Sequence, residues 1–575
     1  MMTTSDTLDL NSLITAVREN TLVLEATYKA YTPWAGGCAR NSTIVVENSR
    51  VVDVCLPDAK GLIGRARWLG RIAVATALGK NIDMKEAEKP ISAVLGSTKE
   101  ASIVKVYVKP IFNHPKVHDK RGIIKILDDA AQLAIRRTIK DVIQDLNRKC
   151  NRKKGSVNVS QLALNNMLSE LSKPLDIPEF NLLKNNTRLK LISMESIKWE
   201  SYDKCRALRN NLLKIFNQLK SNIMTNDNDI MEKIIKGLSK IPIPPDLVEF
   251  KITIKVNINK NRKLGLDDQK LEKRIKAATM LLATTPFLAG LGAITSRGFG
   301  RFCITNYNIY HYEKELSDLL AQLKCENLSK LSIYENKDLI INLHLMLGKL
   351  LLEVTTLDAR HGHTPILDPS LIEVVPVEAN MYAILNRISK SVTKQCWKTI
   401  AQLNPKKPGA NLHTWLLGLP RRQTTGGYTI TKNRSDKFCN NELIGDPGRR
   451  PSLIHIYPIF STRQLVNVIV TVYKSGDLKR LLANENPRLY HVGRYIIGYK
   501  IVNNKKVPQF GKYHYVAVNK LAFTRIVKDP CATKHSEKHR EYGGIQSPQG
   551  IIQGELLDTA LTVARDFVVR GLEGC

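Results

Sequence analysis

Four glycines and two arginines lie close together between Leu281 and Ile304. The glycines are Gly290, Gly292, Gly298 and Gly300, and the arginines are Arg297 and Arg301. Glycine permits positive φ angles and close approach of a ligand to the backbone, and the arginine side chain binds phosphate. This loop therefore predicts contact with phosphate. The alternative is a helix C-cap followed by a hairpin turn, with both arginines in solvent.

The order of the elements around this loop argues against a mononucleotide-binding cradle. Residues 272–285 have a helical pattern and a strand-like segment follows the glycines, so the glycines lie at a helix C-terminus. Rossmann and Walker loops instead run from a strand through the glycines to a helix N-terminus. The sequence also contains no G-K-[ST] motif.

Three residue groups could support catalysis or bind a metal, but each lacks a required part. They are Asp358, His361 and His363; His114 and His118, which Pro115 separates; and Cys531, His535 and His539. The first group has loop spacing, the second cannot share a helix face, and the third has no fourth ligand nearby and is surrounded by basic residues. Nothing resembles a serine or cysteine nucleophile elbow. The sequence predicts no catalytic residue, no metal and no cofactor.

The charge of the chain indicates a polyanionic partner. The 575 residues include 87 Lys and Arg against 53 Asp and Glu, which gives a net charge of +34 and a pI of about 9.7. The excess is spread over the middle and C-terminal parts of the sequence, which favours a folded basic surface over a basic tail. Aromatic residues are 6% of the chain, so base stacking is not expected to carry most of the binding.

Length and cysteine spacing suggest a multidomain cytoplasmic protein. A chain of this length predicts two or more domains. The ten cysteines include no C-x-x-C pair and predict reduced thiols. The N-terminus has no apolar signal segment. Residues 277–296 carry no charge, but a proline and two glycines interrupt them, so we expect no membrane span.

The first half of the chain has the pattern of a ferredoxin-like unit, the α+β arrangement that RRM domains share. Strands are predicted at 21–31, 102–109, 248–258 and 302–304, and helices at 61–78 and 268–285. Residues from about 120 to 240 have a helical, polar pattern and predict a large helical insertion. The order strand, helix, strand, insertion, strand, helix, strand then fits a single unit if one unassigned strand is allowed.

The second half predicts a similar unit. Strands are expected at 371–377, 453–459 and 465–473, helices at 382–403 and 556–570, and a second glycine and arginine loop at 418–428. A helical connector at 312–352 precedes it. The predicted domains are 1–310 with the insertion, a connector at 311–360, and 361–575 with a C-terminal helix.

Several short motifs resemble the RAMP superfamily of CRISPR effector proteins, most closely the first subunit of type III-B (Cmr) complexes. The matching segments are T-P-W-A-G-G at 32–37, G-R-A-R-W-L-G-R at 64–71, L-G-S at 95–97, R-G-F-G-R-F at 297–302, G-L-P-R at 418–421 and R-R-P-S at 449–452. Leu69 and Gly70 depart from the usual aromatic pair, and the last segment transposes the expected R-R-x-S-P. About half of the chain is covered, and residues 120–240 and 480–550 match nothing.

The resemblance implies two ferredoxin-like RAMP domains and a non-catalytic subunit at the head of a ribonucleoprotein used in antiviral defence. There it would lie near the 3′ part of the CRISPR RNA, beside other Cmr RAMP subunits, and help to capture target RNA. The expected RNA-binding residues are Lys60, Arg65, Arg67, Arg71, Arg297, Gly298, Gly300, Arg301, Arg421, Arg422, Arg449 and Arg450. Trp34 could stack on a base or belong to the core.

Two other functions fit the sequence. The chain could be a RAMP endoribonuclease that uses a loop aspartate or His361 and His363 for acid-base cleavage. It could also be a basic scaffold whose arginines bind acidic protein partners. Cleavage of repeat RNA identifies the first, and weak protection of RNA in a crosslinking footprint identifies the second.

Overall fold

The structure is a computed structural model. It describes residues 21–128, 242–257, 268–400, 414–475, 489–517 and 553–574, with short gaps inside these ranges. Residues 120–128 are helical, but most of the predicted insertion lies outside the described residues. The helical insertion therefore stays a prediction, as do the domain boundaries.

The first half of the chain builds one antiparallel sheet with helices on one side. Its elements are β1 (Leu22–Ala30), β2 (Ile44–Glu47), β3 (Arg50–Val54), α1 (Ala59–Ala77), α2 (Met84–Leu95), β4 (Val104–Ile111), β5 (Glu249–Val256), α3 (Asp268–Leu288) and β6 (Phe302–Ile309). The strands of the sheet lie in the order β4, β5, β1, β6, and β2 and β3 form a separate hairpin. With α1 and α3 as crossovers, this is the ferredoxin-like β-α-β-β-α-β arrangement.

Strand β5 shows why one face of this sheet is buried. Phe250, Ile252 and Ile254 alternate with polar residues and are fully buried. Successive side chains of a strand point to opposite faces, so these three face the helices. On the neighbouring strand, the hydroxyl of Tyr28 donates to the carbonyl oxygen of Ala283 in α3 over 2.9 Å. The alternation in sequence therefore leaves the second face of the sheet polar.

Three helices connect the halves: α4 (Glu313–Gln322), α5 (Cys325–Leu328) and α6 (Ile333–Leu352). A capping box between Ser332 and Glu335 begins α6. Gly348 of α6 lies against α1, where a Cβ would overlap the carbonyl oxygen of Ala73. The connector is therefore packed into the helical layer of the first half.

The second half contains the remaining elements. They are β7 (Ile366–Leu367), β8 (Glu373–Ala379), α7 (Met381–Ser391), β9 (Arg421–Gln423), β10 (Gly426–Thr431), β11 (Lys437–Cys439), β12 (Glu442–Ile444), β13 (Pro447–Gly448), β14 (Ile454–Phe460), β15 (Val466–Lys474), β16 (Leu489–Val502), β17 (Lys505–Ala517) and α8 (Gln553–Glu573). β14, β15 and β8 are neighbours in an antiparallel sheet, and β7 pairs with the end of β15. β13, β10, β16 and β17 form a further sheet, with β9 beside β10.

The sheet of β8, β14 and β15 repeats part of the first unit. Strand, helix, strand, strand and helix follow in the same order, and the three strands have the same neighbours as β1, β4 and β5. The fourth strand of this sheet is β7, and among the described residues no strand pairs with β8 as β6 pairs with β1. The α+β class is confirmed, while a second complete ferredoxin-like domain stays a prediction.

The differences from the predicted elements lie in short or unpatterned segments. α2 was not predicted, and it contains Pro90, which interrupts a helical pattern. The β2–β3 hairpin was missed because each strand is short. The predicted helix at 382–403 corresponds to α7, which ends at Ser391. The long β16–β17 hairpin lies where the sequence showed no assignable motif.

The cysteine prediction is wrong for several residues. Cys303 of β6 and Cys325 of α5 form a disulfide with a Cα separation of 5.0 Å. Cys55 takes part in a disulfide as well, and so does Cys396. The absence of a C-x-x-C motif gave no information about these disulfides, because the fold brings together cysteines that are distant in sequence.

The uncharged segment at 277–296 belongs largely to α3, which ends at Leu288. None of the described helices is both long and apolar enough to cross a membrane.

Candidate nucleic-acid interface

The glycine-rich loop leaves the C-terminus of α3 and lies against the segment that follows β1. The N–H of Gly300 donates to the carbonyl oxygen of Pro33 over 2.9 Å, and that of Ala293 donates to Ala35 over 2.6 Å. Gly300 has a φ of 64°, and a Cβ there would overlap the carbonyl oxygen of Leu291. Glycine is therefore required here because two segments of the protein approach each other closely.

Arg301 lies in the interior, with 0% of its surface exposed. One guanidinium nitrogen donates to the carbonyl oxygens of Phe287, at 2.9 Å, and Leu288, and another donates to Thr295 at 3.1 Å. Its Cζ atom lies 4.0 Å from the ring centre of Tyr457. The carbonyl end of a helix carries partial negative charge, so Arg301 caps α3. We correct its predicted role from RNA binding to helix capping.

Arg65 of α1 caps the same helix end. Its Nε donates to Gly290 over 3.1 Å, and a terminal nitrogen donates to Ala289. The Cζ atom lies 4.6 Å from the ring centre of Trp68. Burial, with a smaller effect of the Arg301 charge, lowers the pKa of Arg65 to about 10. One predicted phosphate-binding arginine of each motif, Arg65 and Arg301, thus lies at the same helix C-terminus.

The other two arginines of α1 hold this helix to α2. Arg67 forms an ion pair with Glu88 and donates to the carbonyl oxygens of Leu95, at 3.3 Å, and Gly96. The Nε of Arg71 lies 3.5 Å from Glu88. Both side chains are half-buried, so neither is placed mainly toward solvent.

Four of the sequence motifs therefore meet in one place. Besides the contacts above, the hydroxyl of Thr32 accepts from the backbone N–H of Arg301 over 2.8 Å. Trp34 is 2% exposed and donates from Nε1 to Cys55 over 2.6 Å, so it belongs to the core and not to a base-stacking surface. We call this region, residues 32–37, 64–71, 95–97 and 289–301, the motif junction.

The motif junction also contacts the second half of the chain. Gly298 has a φ of 83°, and a Cβ there would lie 2.5 Å from Cδ of Pro458 in β14. Arg297 is half-buried and donates to the carbonyl oxygen of Leu417 over 3.1 Å. Gly298 and Arg297 thus join the halves, and neither Gly298 nor Gly300 is exposed.

Buried rings from both halves pack beside this contact. The rings of Trp68 and His455 are stacked with centres 5.1 Å apart. The hydroxyls of Tyr457 and Tyr473 are 2.8 Å apart, and that of Tyr473 lies 3.4 Å from Nε2 of His344. Burial lowers the pKa of His344 to about 4 and that of His455 well below its usual value, the latter helped by nearby arginine charges. Both histidines are therefore neutral at physiological pH.

The remaining predicted binding residues are dispersed. Lys60 is exposed near the start of α1. Arg421 and Arg422 belong to β9, whose backbone pairs with β10. Arg449 and Arg450 lie outside the described residues. The structure does not bring Lys60 together with the capping arginines, because those arginines face the protein interior.

The candidate catalytic groups do not form a metal-binding cluster in the described part of the chain. His361 is exposed, and Asp358 forms an ion pair with Arg360 at 2.5 Å. Across the described ranges, no group of three His, Cys, Asp or Glu side chains is placed to hold a metal ion. His114 falls in one of the short gaps, and Cys531, His535 and His539 also lie outside the described residues.

A basic surface that the sequence analysis missed lies on the open face of the first sheet. Lys105 is paired directly with Lys255 across β4 and β5, and Lys109 with Lys251. Tyr107 lies between the two lysine pairs and is 52% exposed. We call the outward residues of these two strands the lysine face.

The lysine face could have been found by pairing two strands that the sequence analysis had already identified. Each strand alone has a lysine at every second or fourth position, which is ordinary for a solvent-facing surface. The register between β4 and β5 places each lysine of one strand opposite a lysine of the other, which doubles the positive charge at that point of the sheet. More than a hundred residues separate the two strands in sequence. Composition and local spacing do not give that register.

Among known proteins, two solved structures of type III-B proteins are similar to this chain at low sequence identity. No protein-family model matches the chain, and no curated protein matches it. Among solved structures, a chain of the type III-B Cmr-beta complex bound to cognate target RNA and AMPPnP is 16% identical, with 79% of this chain and 95% of that chain covered and a TM-score of 0.46. Cmr1 from Pyrococcus furiosus is 12% identical, with 85% and 94% covered and a TM-score of 0.35. Likeness at these values does not establish a common family.

Proposed function

We propose that the chain is a non-catalytic RNA-binding subunit of a type III-B CRISPR ribonucleoprotein effector, built on the RAMP form of the ferredoxin-like fold. Its partners are CRISPR RNA, target RNA and other Cmr subunits, and its place is at the head of the particle near the 3′ part of the CRISPR RNA. Such a particle works in the cytoplasm in defence against viruses.

The motif junction is the observation that carries this proposal. The four first-half segments that resemble RAMP proteins are far apart in sequence, yet each contacts another of the four through backbone or arginine hydrogen bonds. Unrelated matches of this length would have no reason to assemble in one place. The junction supports the fold of the family, and the net charge of +34 supports an RNA partner.

The first experiment identifies the RNA and the protein partners. The full-length chain, carrying an affinity tag, is purified from its own cells, and the RNA and proteins bound to it are sequenced and identified by mass spectrometry. We expect enrichment of repeat-derived CRISPR RNA and of further RAMP subunits over a tagged protein of similar charge. Recovery of RNA no different from that control overturns the proposal.

The second experiment tests the absence of catalysis. The purified chain is incubated with labelled repeat RNA, with and without divalent metal. We expect intact RNA under both conditions. Discrete products that depend on the protein, and that disappear in a His361→Ala/His363→Ala variant, would instead identify an endoribonuclease.

A further inference from the structure

We propose that the lysine face binds single-stranded RNA directly, with the ring of Tyr107 stacked on an unpaired base. The choice of RNA rests on the proposed function, while the surface itself follows from the geometry of β4 and β5.

The protein neutralises only one of the four lysines on this face. Lys105, Lys109 and Lys255 make no hydrogen bond or ion pair with any described residue. Lys251 lies 2.7 Å from a carboxylate oxygen of Glu25 on the next strand. Like charges placed directly opposite each other on neighbouring strands destabilise a sheet. Glu25 offsets this repulsion for Lys109 and Lys251, whereas a bound polyanion would relieve it for Lys105 and Lys255.

Protection of a sheet edge accounts for only part of the pattern. Lysines on an edge strand prevent pairing with other chains, and β4 lies at the edge of this sheet. Lys251 and Lys255, however, belong to β5, which has a neighbour on each side. Edge protection also gives no reason for an exposed tyrosine between the charges. The arrangement is better explained by a ligand that lies across both strands.

The aromatic residues indicate a single strand and not a duplex. Tyr107 is 52% exposed on β4, and Tyr310, which follows β6 at the opposite edge, is 41% exposed. The Tyr310 hydroxyl lies 3.4 Å from Glu25, whose side chain is on the open face. Three strand spacings separate the two edges, about 14 Å. Rings that stand on a flat basic sheet can stack on bases only when the bases are unpaired.

The outward positions toward β6 are mostly neutral and suit a nucleotide chain as well. Thr27, Thr253, Asn306 and Asn308 lie there around one carboxylate, that of Glu25, which pairs with Lys251. These groups can hydrogen-bond to bases and ribose without selecting one sequence. Phosphates would then follow the lysine pairs at the β4 edge, and base edges would face the polar strands.

The experiment measures binding of a short fluorescent oligouridine by the full-length protein at several salt concentrations between about 50 and 200 mM. In a Lys105→Glu/Lys109→Glu variant we expect roughly tenfold weaker binding, and a salt slope reduced by about 1.4, because each phosphate contact with a single strand contributes about 0.7. In Tyr107→Leu we expect at least about fivefold weaker binding with an unchanged slope, since stacking does not release counterions.

The matched control is Lys80→Glu/Lys330→Glu, which changes the net charge equally at two exposed positions outside the sheet. The proposal is overturned if the sheet variants bind as the control does. A DNA strand of equivalent sequence that binds as tightly as RNA, with the same sensitivity to the variants, overturns the choice of RNA. CRISPR RNA in the native particle together with unaffected sheet variants would overturn the lysine face and leave the proposed function intact.

Discussion

The motif junction and the lysine face are both basic, but the protein uses their charges in opposite ways. At the motif junction, Arg65 and Arg301 donate to the carbonyl oxygens at the end of α3 and are largely removed from solvent. On the lysine face, Lys105 and Lys109 are exposed and make no ion pair with a described residue. The arginines that stand out in the sequence thus stabilise the fold. The lysines that can bind a ligand belong to the ordinary alternating pattern of a strand.

The difference follows from the geometry of the two side chains and their surroundings. A planar guanidinium with several donors matches the group of carbonyls left open at a helix C-terminus. A lysine on an outward strand position can bury its stem only against the sheet and keeps its ammonium in water. Arginine next to glycine is therefore not by itself evidence of a phosphate site, because the end of a helix requires the same residue types.

The largest effect is expected from Arg301→Met. The change leaves the carbonyl oxygens of Phe287, Leu288 and Thr295 buried without this donor, and we expect a loss of about 4 kcal/mol in the free energy of unfolding. Chemical denaturation measures it. Arg71→Met, which removes a partly exposed ion pair, should cost less than about 1 kcal/mol. Equal losses in the two variants would mean that Arg301 does not have the capping role.

The next largest effect should come from Gly300→Ala. A Cβ at this position would overlap Leu291, and the positive φ adds strain, so we expect a loss of about 3 kcal/mol. Gly79 has nearly the same φ, 65°, but open space around it. Gly79→Ala should therefore cost only about 1 kcal/mol. A similar melting temperature for the two variants would show that the loop is not tightly packed.

Acid should weaken the contact between the halves. The pKa values of His344 and His455 are lowered in the folded protein, so the unfolded chain binds protons more readily. The stability that neutral His344 provides is complete above pH 6.5 and is lost progressively as the pH falls from 6.5 to about 4, and acid weakens the contribution of His455 in the same direction. Each histidine contributes a slope of up to about 1.4 kcal/mol per pH unit.

Denaturation midpoints between these pH values measure that slope. His344→Gln should make it shallower, and His361→Gln, at an exposed position, should leave it unchanged. An unchanged slope in His344→Gln would contradict the assignment of the acid sensitivity to the buried rings.

The smallest effect is expected from Arg297→Ala. Its hydrogen bond to Leu417 is lost, and that contact contributes about 1 kcal/mol to the free energy of unfolding. The salt dependence of RNA binding should not change, in contrast to the lysine variants. If this substitution reduces the salt slope, the glycine-rich loop contacts RNA. The motif junction and the lysine face would then not differ in how they use their charges.

Much of the first sheet was predictable because the alternation of apolar and polar residues reports directly on its two faces. The strict alternation around Phe250 and Ile252 predicted β5 within two residues of its ends, and the helix predicted at 61–78 is α1. The short β2–β3 hairpin was not predictable in this way, since a few residues carry little periodic signal. α2 was not predicted for another reason, because Pro90 lies inside it and interrupts the helical pattern.

For the candidate site, the sequence and the tertiary structure determined different features. The sequence by itself determined that the glycine-rich loop follows a helix, that the chain carries a large positive charge, and that two lysines lie four residues apart on each of two strands. Only the tertiary structure decided that Arg301 is buried at the end of α3 and that the lysines of β4 and β5 are opposite each other. The physical reason is that burial and strand register depend on contacts between residues far apart in the chain, and local patterns do not contain those contacts.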